Sequence, residues 1–187
     1  MIEIRSLTHF STDQLGNIGG GYTSEAKYLV RKTESQKQVT ITLELIPLEM
    51  PYVKRWDRPD QEEQKRYQDF IAEGYSLAVY DNNILIGYAL NEPRRWNKTL
   101  WVWEFHINKA YRRKGIGRQL MDAVIEKARQ SRFRCVGLET QSTNIPAIAF
   151  YRAVGFEIEA VDLSLYTNTD TVDGEVAIFM KKKWSTS

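Results

Sequence analysis

Residues 99–118, TLWVWEFHINKAYRRKGIGR, constrain this chain more than any other stretch. Trp101, Val102, Trp103, Phe105 and Ile107 are aromatic or β-branched, so 99–107 reads as a β-strand. Arg112 to Arg118 then places two glycines and four cations in seven residues. Behind them Ile116, Leu120, Val124 and Ala128 recur at every fourth position, with Met121 and Ile125 beside them, which is the apolar stripe of an amphipathic helix. A strand, a basic glycine turn and a helix make an anion cradle. The turn's N–H groups and the unpaired N–H groups of the first helical turn point at one anion, and the helix dipole adds partial positive charge. Gly115 and Gly117 let that backbone approach a phosphate without Cβ interference.

Two phosphate motifs fail on this stretch. The chain has no GxxxxGK[ST] run, and Gly115-Ile116-Gly117 is followed at the third position by Leu120, which breaks the dinucleotide fingerprint. The pattern that holds is Arg112-x-x-Gly115-x-Gly117. It resembles the pyrophosphate loop with which the GNAT N-acetyltransferase superfamily holds acetyl-CoA. A second run, LETQSTNIPAIAFYRAVGF at 138–156, resembles that superfamily's closing motif, with Asn144, Tyr151, Gly155 and Phe156 in its places. The resemblance covers about residues 39–183. Within the superfamily the chain resembles the streptothricin acetyltransferases through Gly137–Gln141, Asp162–Tyr166 and Glu175–Phe179. One departure is the missing Pro before the basic turn, where this chain has Ile107-Asn108-Lys109.

The remaining elements follow from pattern and punctuation. Residues 1–38 read as a weakly structured arm, with a flexible break at 16–21 and at most a short strand near 28–30. Val39, Ile41, Leu43 and Leu45 alternate with polar residues in a half-buried strand that Pro47 ends, and 48–56 reads as a short helix. Asp60 and Glu63 form a capping box for a helix carrying Tyr67, Phe70 and Ile71, closed by Gly74. Residues 75–80 and 84–90 form a hairpin around Asp81-Asn82-Asn83, and a polar loop follows at 91–98. A strand at 134–140, a helix capped by Asn144 and an antiparallel pair at 156–162 and 175–182 complete the chain. The order β-α-α-β-β-β-α-β-α-β-β predicts an α/β mixed sheet with helices on both faces, as one domain over 39–183 with a short tail at 184–187. The resemblance makes that sheet mostly antiparallel, with a V-shaped splay at its centre.

Composition narrows the function. At 187 residues and a net charge of +2, bulk electrostatics give no argument for nucleic acid. The single Cys135 excludes an internal disulfide, and two histidines with one cysteine make no metal site. The chain shows no membrane-length apolar run and no signal-peptide pattern, so the expected location is the cytoplasm and no membrane partner is expected. Whether the chain forms a homodimer is left open.

The resemblance implies acetyl-CoA as co-substrate and no metal. Pantetheine would pair with backbone of Phe105, His106 and Ile107, the pyrophosphate would sit on Arg112, Arg113, Lys114, Gly115, Ile116, Gly117 and Arg118, and Asn144 and Ala147 would hold the pantetheine arm. An N–H of Ile107 aimed at the thioester oxygen would stabilise the oxyanion. Tyr151 would protonate the leaving thiolate and also touch the cofactor. Glu104 is the first choice to deprotonate the amine, with Glu139 and His106 as alternatives. A polycationic acceptor such as streptothricin, acetylated on its β-lysine amine, would meet Glu139, Asp162 and Trp103, with further carboxylates and aromatics among Asp57, Asp60, Glu92, Trp96, Trp101 and Tyr166. Acetylation of a protein N-terminus, a lysine side chain or a polyamine is the alternative reaction, and an acyl-CoA-binding module without catalysis is the alternative of another class.

Overall fold

The computed structural model describes residues 1–10 and 18–184. They divide into two compact units, each discontinuous in sequence. The first unit holds residues 1–20, 56–138 and the C-terminal residues from 182, and the second holds 21–55 and 139–181.

In the first unit β1 (Ile2–Ser6), β4 (Leu77–Asp81), β5 (Ile84–Arg94), β6 (Thr99–Ile107) and the part of β7 (Cys135–Gln141) up to Leu138 follow one another in hydrogen-bonded order. The β1/β4, β4/β5 and β5/β6 pairings are antiparallel, whereas β6/β7 is parallel. Asn82 and Asn83 both take positive φ in the β4–β5 turn, the left-handed geometry that a two-residue hairpin needs and Asn tolerates. Helix α1 (Gln61–Ala72) starts at the expected capping box: Asp60 accepts from the Glu63 N–H, and Glu63 accepts from the Asp60 N–H. Its Tyr67, Phe70 and Ile71 join Leu7, Ile18, Ala78, Tyr88 and Leu90 in one core. Helix α2 (Ile116–Gln130) buries Ile116, Leu120, Met121, Val124, Ile125 and Ala128 and packs on β4, β5 and β6. Each large apolar side chain buried there is worth roughly 1.5–3 kcal/mol.

The second unit contains a long antiparallel hairpin, β2 (Tyr22–Glu34) with β3 (Val39–Lys54), turning at 35–38. Helix α3 (Ile145–Ala153) packs on β2, where Arg152 donates to the Tyr28 hydroxyl at 2.7 Å. Strands β8 (Glu157–Asp162) and β9 (Ala177–Lys183) pair antiparallel, as expected, and the short helix α4 (Asp170–Asp173) lies before β9.

Four expectations are corrected. Residues 1–38 are no weakly structured arm: they contain β1 and the 13-residue β2, and the expected boundary at 38/39 falls inside a hairpin. The expected break at 16–21 falls partly outside the described residues, but Ile18 is buried in the core. Strand β3 runs past Pro47 to Lys54, replacing the expected helix at 48–56. Its only sheet partner among the described residues is β2, and Pro47 stands opposite Ala26 at the register shift, a position in an edge strand where Pro is tolerated. Finally, β5 extends through the first part of the expected 91–98 loop, to Arg94.

Candidate active site

Strand β6 carries an extra residue. Leu90 pairs with Glu104 and Asn91 pairs with Val102, so Trp103 is a bulge. Strict alternation would put Trp103 and Glu104 on opposite faces, and a bulge turns both to one. Contacts from α1 fit this: Phe70 stacks on Trp103 at 5.6 Å between ring centroids, and the Tyr67 hydroxyl donates to Glu104 Oε1 at 2.7 Å. From there alternation resumes and places His106 beside Glu104, with Nε2 2.6 Å from Oε2. The Tyr88 ring lies 5.3 Å from the imidazole. Burial pushes Glu104 upward, but the hydrogen bond and the charge of His106, when protonated, together with the Tyr67 hydrogen bond outweigh it, and the carboxyl lies below its usual range. Tyr67 and Tyr88 are both pushed upward, first by burial and then by the Glu104 charge, so they remain neutral donors.

Beyond the bulge the strand is single-sided. The parallel ladder with β7 stops at the Val102–Leu138 pair, while β6 continues to Ile107 bonded to β5. The Asn108 N–H donates to Ile86 O on the β5 side, so the peptide groups of Ile107, one residue earlier, face the other edge. Arg112 uses that edge: its Nε donates to Ile107 O at 2.9 Å. This side chain, expected on pyrophosphate, straps the turn to the strand. Asn108 supplies the rigidity expected from the missing Pro, with Oδ1 accepting from the Ala110 N–H at 3.0 Å.

The basic turn has the expected form. Gly115 is the N-cap of α2 with φ 78°, a left-handed conformation in which a Cβ is strained. No side-chain hydrogen bond caps this helix, and a helix N-terminus of this kind favours an anion. Arg113 also has positive φ, and the Lys114 ammonium lies 5.3 Å from the Tyr111 ring centroid.

Two expected aromatics have different surroundings. Trp103 is 40% exposed and donates from Nε1 to Glu92 at 2.9 Å. Trp101 is only 6% exposed, with the Arg94 guanidinium 3.9 Å from its ring centroid. A Cβ on Gly137 would come within 2.9 Å of that ring, so a larger residue there would collide with it. Trp101 is therefore a core residue and not a rim aromatic. Glu92 is also bonded by Arg94, at 2.9 Å, which neutralises it.

In the second unit Asn144 caps α3, accepting from the Ala147 N–H at 3.3 Å. Tyr151 lies on the buried face of α3, 8% exposed, against Phe150 and Phe156 at 5.4 and 5.8 Å. The Tyr166 hydroxyl donates a short hydrogen bond to Glu139 Oε1. Asp170, 2% exposed, sets that loop: its carboxylate accepts from the N–H groups of Tyr166 and Thr167 and from the Thr167 hydroxyl. Asp162 accepts from the Ser164 N–H at 3.0 Å, a turn-forming bond.

Sequence reasoning missed a polar cluster on Glu175. Its carboxylate accepts from Lys54 Nζ at 2.7 Å and from the hydroxyls of Tyr52 at 3.2 Å, Thr143 at 3.3 Å and Tyr22 at 3.4 Å. The 139–145 segment is further held by Ser142, which donates its N–H to Val176 O and accepts from the Val176 N–H on Oγ. No local signal joins residues this far apart. Tyr67 was visible only as one member of an apolar stripe. Among the described residues no group of His, Cys, Asp and Glu could hold a metal, and no helix is long and apolar enough to cross a membrane.

Residues 42–156 match the Acetyltransferase (GNAT) family, and the chain belongs to it. It is an acetyl-CoA-dependent N-acetyltransferase. It is 33% identical over 134 residues to streptothricin acetyltransferase A of Bacillus subtilis, covering 72% of this chain and 75% of that one. The streptothricin acetyltransferase of Streptomyces lavendulae is 28% identical over 181 residues, 95% and 93% of the two chains. Among solved structures, nourseothricin acetyltransferase superposes with a TM-score of 0.74 at 26% identity, over 97% of this chain and 98% of the other. A Bacillus anthracis protein solved in complex with acetyl coenzyme A shares the fold, with a TM-score of 0.73 at 23% identity over 98% and 100% of the chains.

Proposed function

We propose that the acceptor is a primary amine of a small polycation, streptothricin through its β-lysine arm, and that acetylation confers resistance by deleting a positive charge. The observation that carries this reading is the state of Glu104. It stays ionised, and among the described residues it bonds a tyrosine and a histidine but no lysine or arginine. An anionic site with no built-in cation suits a cationic acceptor. The full-length likeness to streptothricin acetyltransferases supports the same substrate.

In this reading the α2 N-terminus, with residues 112–118, binds the pyrophosphate. Pantetheine adds to the single-sided edge of Phe105–Ile107, where the Ile107 N–H meets the thioester oxygen. Asn144 and Ala147 hold the pantetheine arm, Tyr151 gives its proton to the leaving thiolate, and the Glu104–His106 pair serves the amine. Glu139 and Trp103 receive the rest of the polycation. Asp162, which accepts the Ser164 N–H in its own turn, is a further carboxylate for that polycation. The enzyme acts in the cytoplasm, where acetyl-CoA is supplied.

Thiol release from acetyl-CoA with a panel of amines tests the reading. Streptothricin should be the preferred acceptor, and its kcat/KM should fall as salt rises to physiological strength while kcat changes less. A sensitive bacterium expressing the chain should survive streptothricin and remain sensitive to a neutral antibiotic. No protection, combined with rapid acetylation of a ribosomal peptide, would replace this substrate with a protein amine. Gly117→Val should weaken acetyl-CoA binding in calorimetry without unfolding the protein, and normal binding would remove the pyrophosphate assignment. Tyr151→Phe should lower turnover about 10²–10⁴-fold at unchanged acetyl-CoA affinity.

A further inference from the structure

We infer that His106 is the group that takes the proton from the acceptor amine, and that Glu104 is the positioning residue that fixes its imidazole. The inference rests on the acetyl-transfer reading above and assigns its proton path.

The geometry sets the tautomer. An ionised carboxylate can only accept, so the 2.6 Å contact between Glu104 Oε2 and His106 Nε2 requires the hydrogen on Nε2. The lone pair of the neutral ring is then on Nδ1. Among the described residues Nδ1 has no partner, and it is not among the buried atoms left unsatisfied, so it meets solvent. The groups around the ring are Glu104 on its own strand, Tyr88 from β5, and Tyr67 from α1 through Glu104, with Glu63 one turn earlier on α1. None is a cation, and both tyrosines stay neutral. The imidazolium formed by proton uptake therefore faces a carboxylate and no opposing positive charge. Glu104 itself is a poor first acceptor, because its oxygens already receive Tyr67 and His106 and its carboxyl is held below the usual range. His106 also directly precedes Ile107, whose N–H is assigned to the thioester oxygen.

The step balances as follows. The substrate ammonium gives one proton to Nδ1, and the neutral amine attacks the thioester carbon. The C–N bond forms, and the C–S bond breaks as the tetrahedral intermediate collapses. The nitrogen's second proton leaves through the same imidazole after its first has passed to solvent. Tyr151 protonates the thiolate and regains its proton from solvent, so one proton is released per turnover.

The test is the pH dependence of kcat/KM for the acceptor amine at saturating acetyl-CoA, in wild type, His106→Gln, His106→Asn, His9→Gln and Glu104→Gln. Wild type should show an ascending limb in this profile. His9 is the chain's other histidine, and His9→Gln should keep that limb. Both His106 variants should lose it, fall about 10²–10⁴-fold, and regain part of the rate with added imidazole. Their acetyl-CoA affinity and melting midpoint should match wild type, which separates lost chemistry from lost folding. A His106 variant with the limb intact and kcat/KM within about threefold of wild type overturns the inference. So does a Glu104→Gln variant that is inactive while both His106 variants keep their activity, because Glu104 would then be the direct base. If wild type acetylates a peptide and ignores streptothricin, the substrate reading falls and the same profiles are measured on that peptide.

Discussion

Glu104 in the first unit and Glu175 in the second are carboxylates that accept from tyrosine hydroxyls, and their charged partners differ. Glu175 holds the Lys54 ammonium at 2.7 Å and three hydroxyls. Its charge is cancelled inside the protein, and the cluster ties the β2–β3 hairpin to the turn before α3. Lys54 shows the other side of that pairing: burial pushes its pKa down, yet the bond and charge of Glu175 outweigh burial and hold it raised. Glu104 has an imidazole in place of the lysine. Its charge remains available to a passing cation, and its partner is an imidazole that can both donate and accept a proton. A carboxylate already paired with a lysine is part of the scaffold, whereas one paired with a histidine can take part in proton transfer.

Substitutions should separate the two. The largest effect is expected from Glu104→Gln: kcat/KM falls about 10²–10⁴-fold in the thiol-release assay, with acetyl-CoA affinity unchanged. Comparable activity in the variant would erase the contrast. Glu175→Ala should reverse the pattern. It removes the carboxylate that Lys54, Tyr52, Thr143 and Tyr22 share and should cost about 1–3 kcal/mol in urea unfolding, with kcat changed far less than by Glu104→Gln. A Glu175 variant of native stability would deny the cluster its structural role. Tyr166→Phe should be milder. Glu139 loses its donor, and KM for a polycation should change by roughly fivefold, about one hydrogen bond, with acetyl-CoA affinity unaltered.

The smallest effect is in acid. Glu104 has a folded pKa below its ordinary 4.5. Such a group stabilises the fold above the unfolded value, and the contribution is lost as pH falls through the folded value. The melting difference between wild type and Glu104→Gln should therefore be steady from neutral pH to about pH 5 and shrink below it. A difference that grew in acid would mean that Glu104 is raised, as a desolvated carboxyl without partners would be.

Much of this protein was legible locally. The α1 capping box, the Asn82-Asn83 turn, the α2 stripe and the glycine turn are each set by residues within a few positions of one another, and all stand where the sequence placed them. The two family motifs are short for the same reason: each is set by residues close together in the sequence. The errors fell where long-range pairing decides. Residues 22–34 offer at most a short strand near 28–30 alone, and they form a long one because β3 pairs with them on both sides of a register shift. Pro47 reads as a terminator, yet β3 passes through it at a register shift.

The sequence by itself determined the family, because its motifs depend on residue type at fixed spacing. Only the tertiary structure decided what surrounds Glu104. The bulge at Trp103 turns Trp103 and Glu104 to one face, and it exists because β5 pairs with β6 out of step at Asn91. That face then meets Tyr67 from a helix that begins some forty residues earlier in the chain. The partners of Glu175 come from β2, β3 and the turn before α3, which no spacing rule connects. Periodicity specifies which side of one element is apolar, but the protonation of a carboxylate depends on groups that folding brings from other elements, through burial and hydrogen bonds acting across a few ångströms.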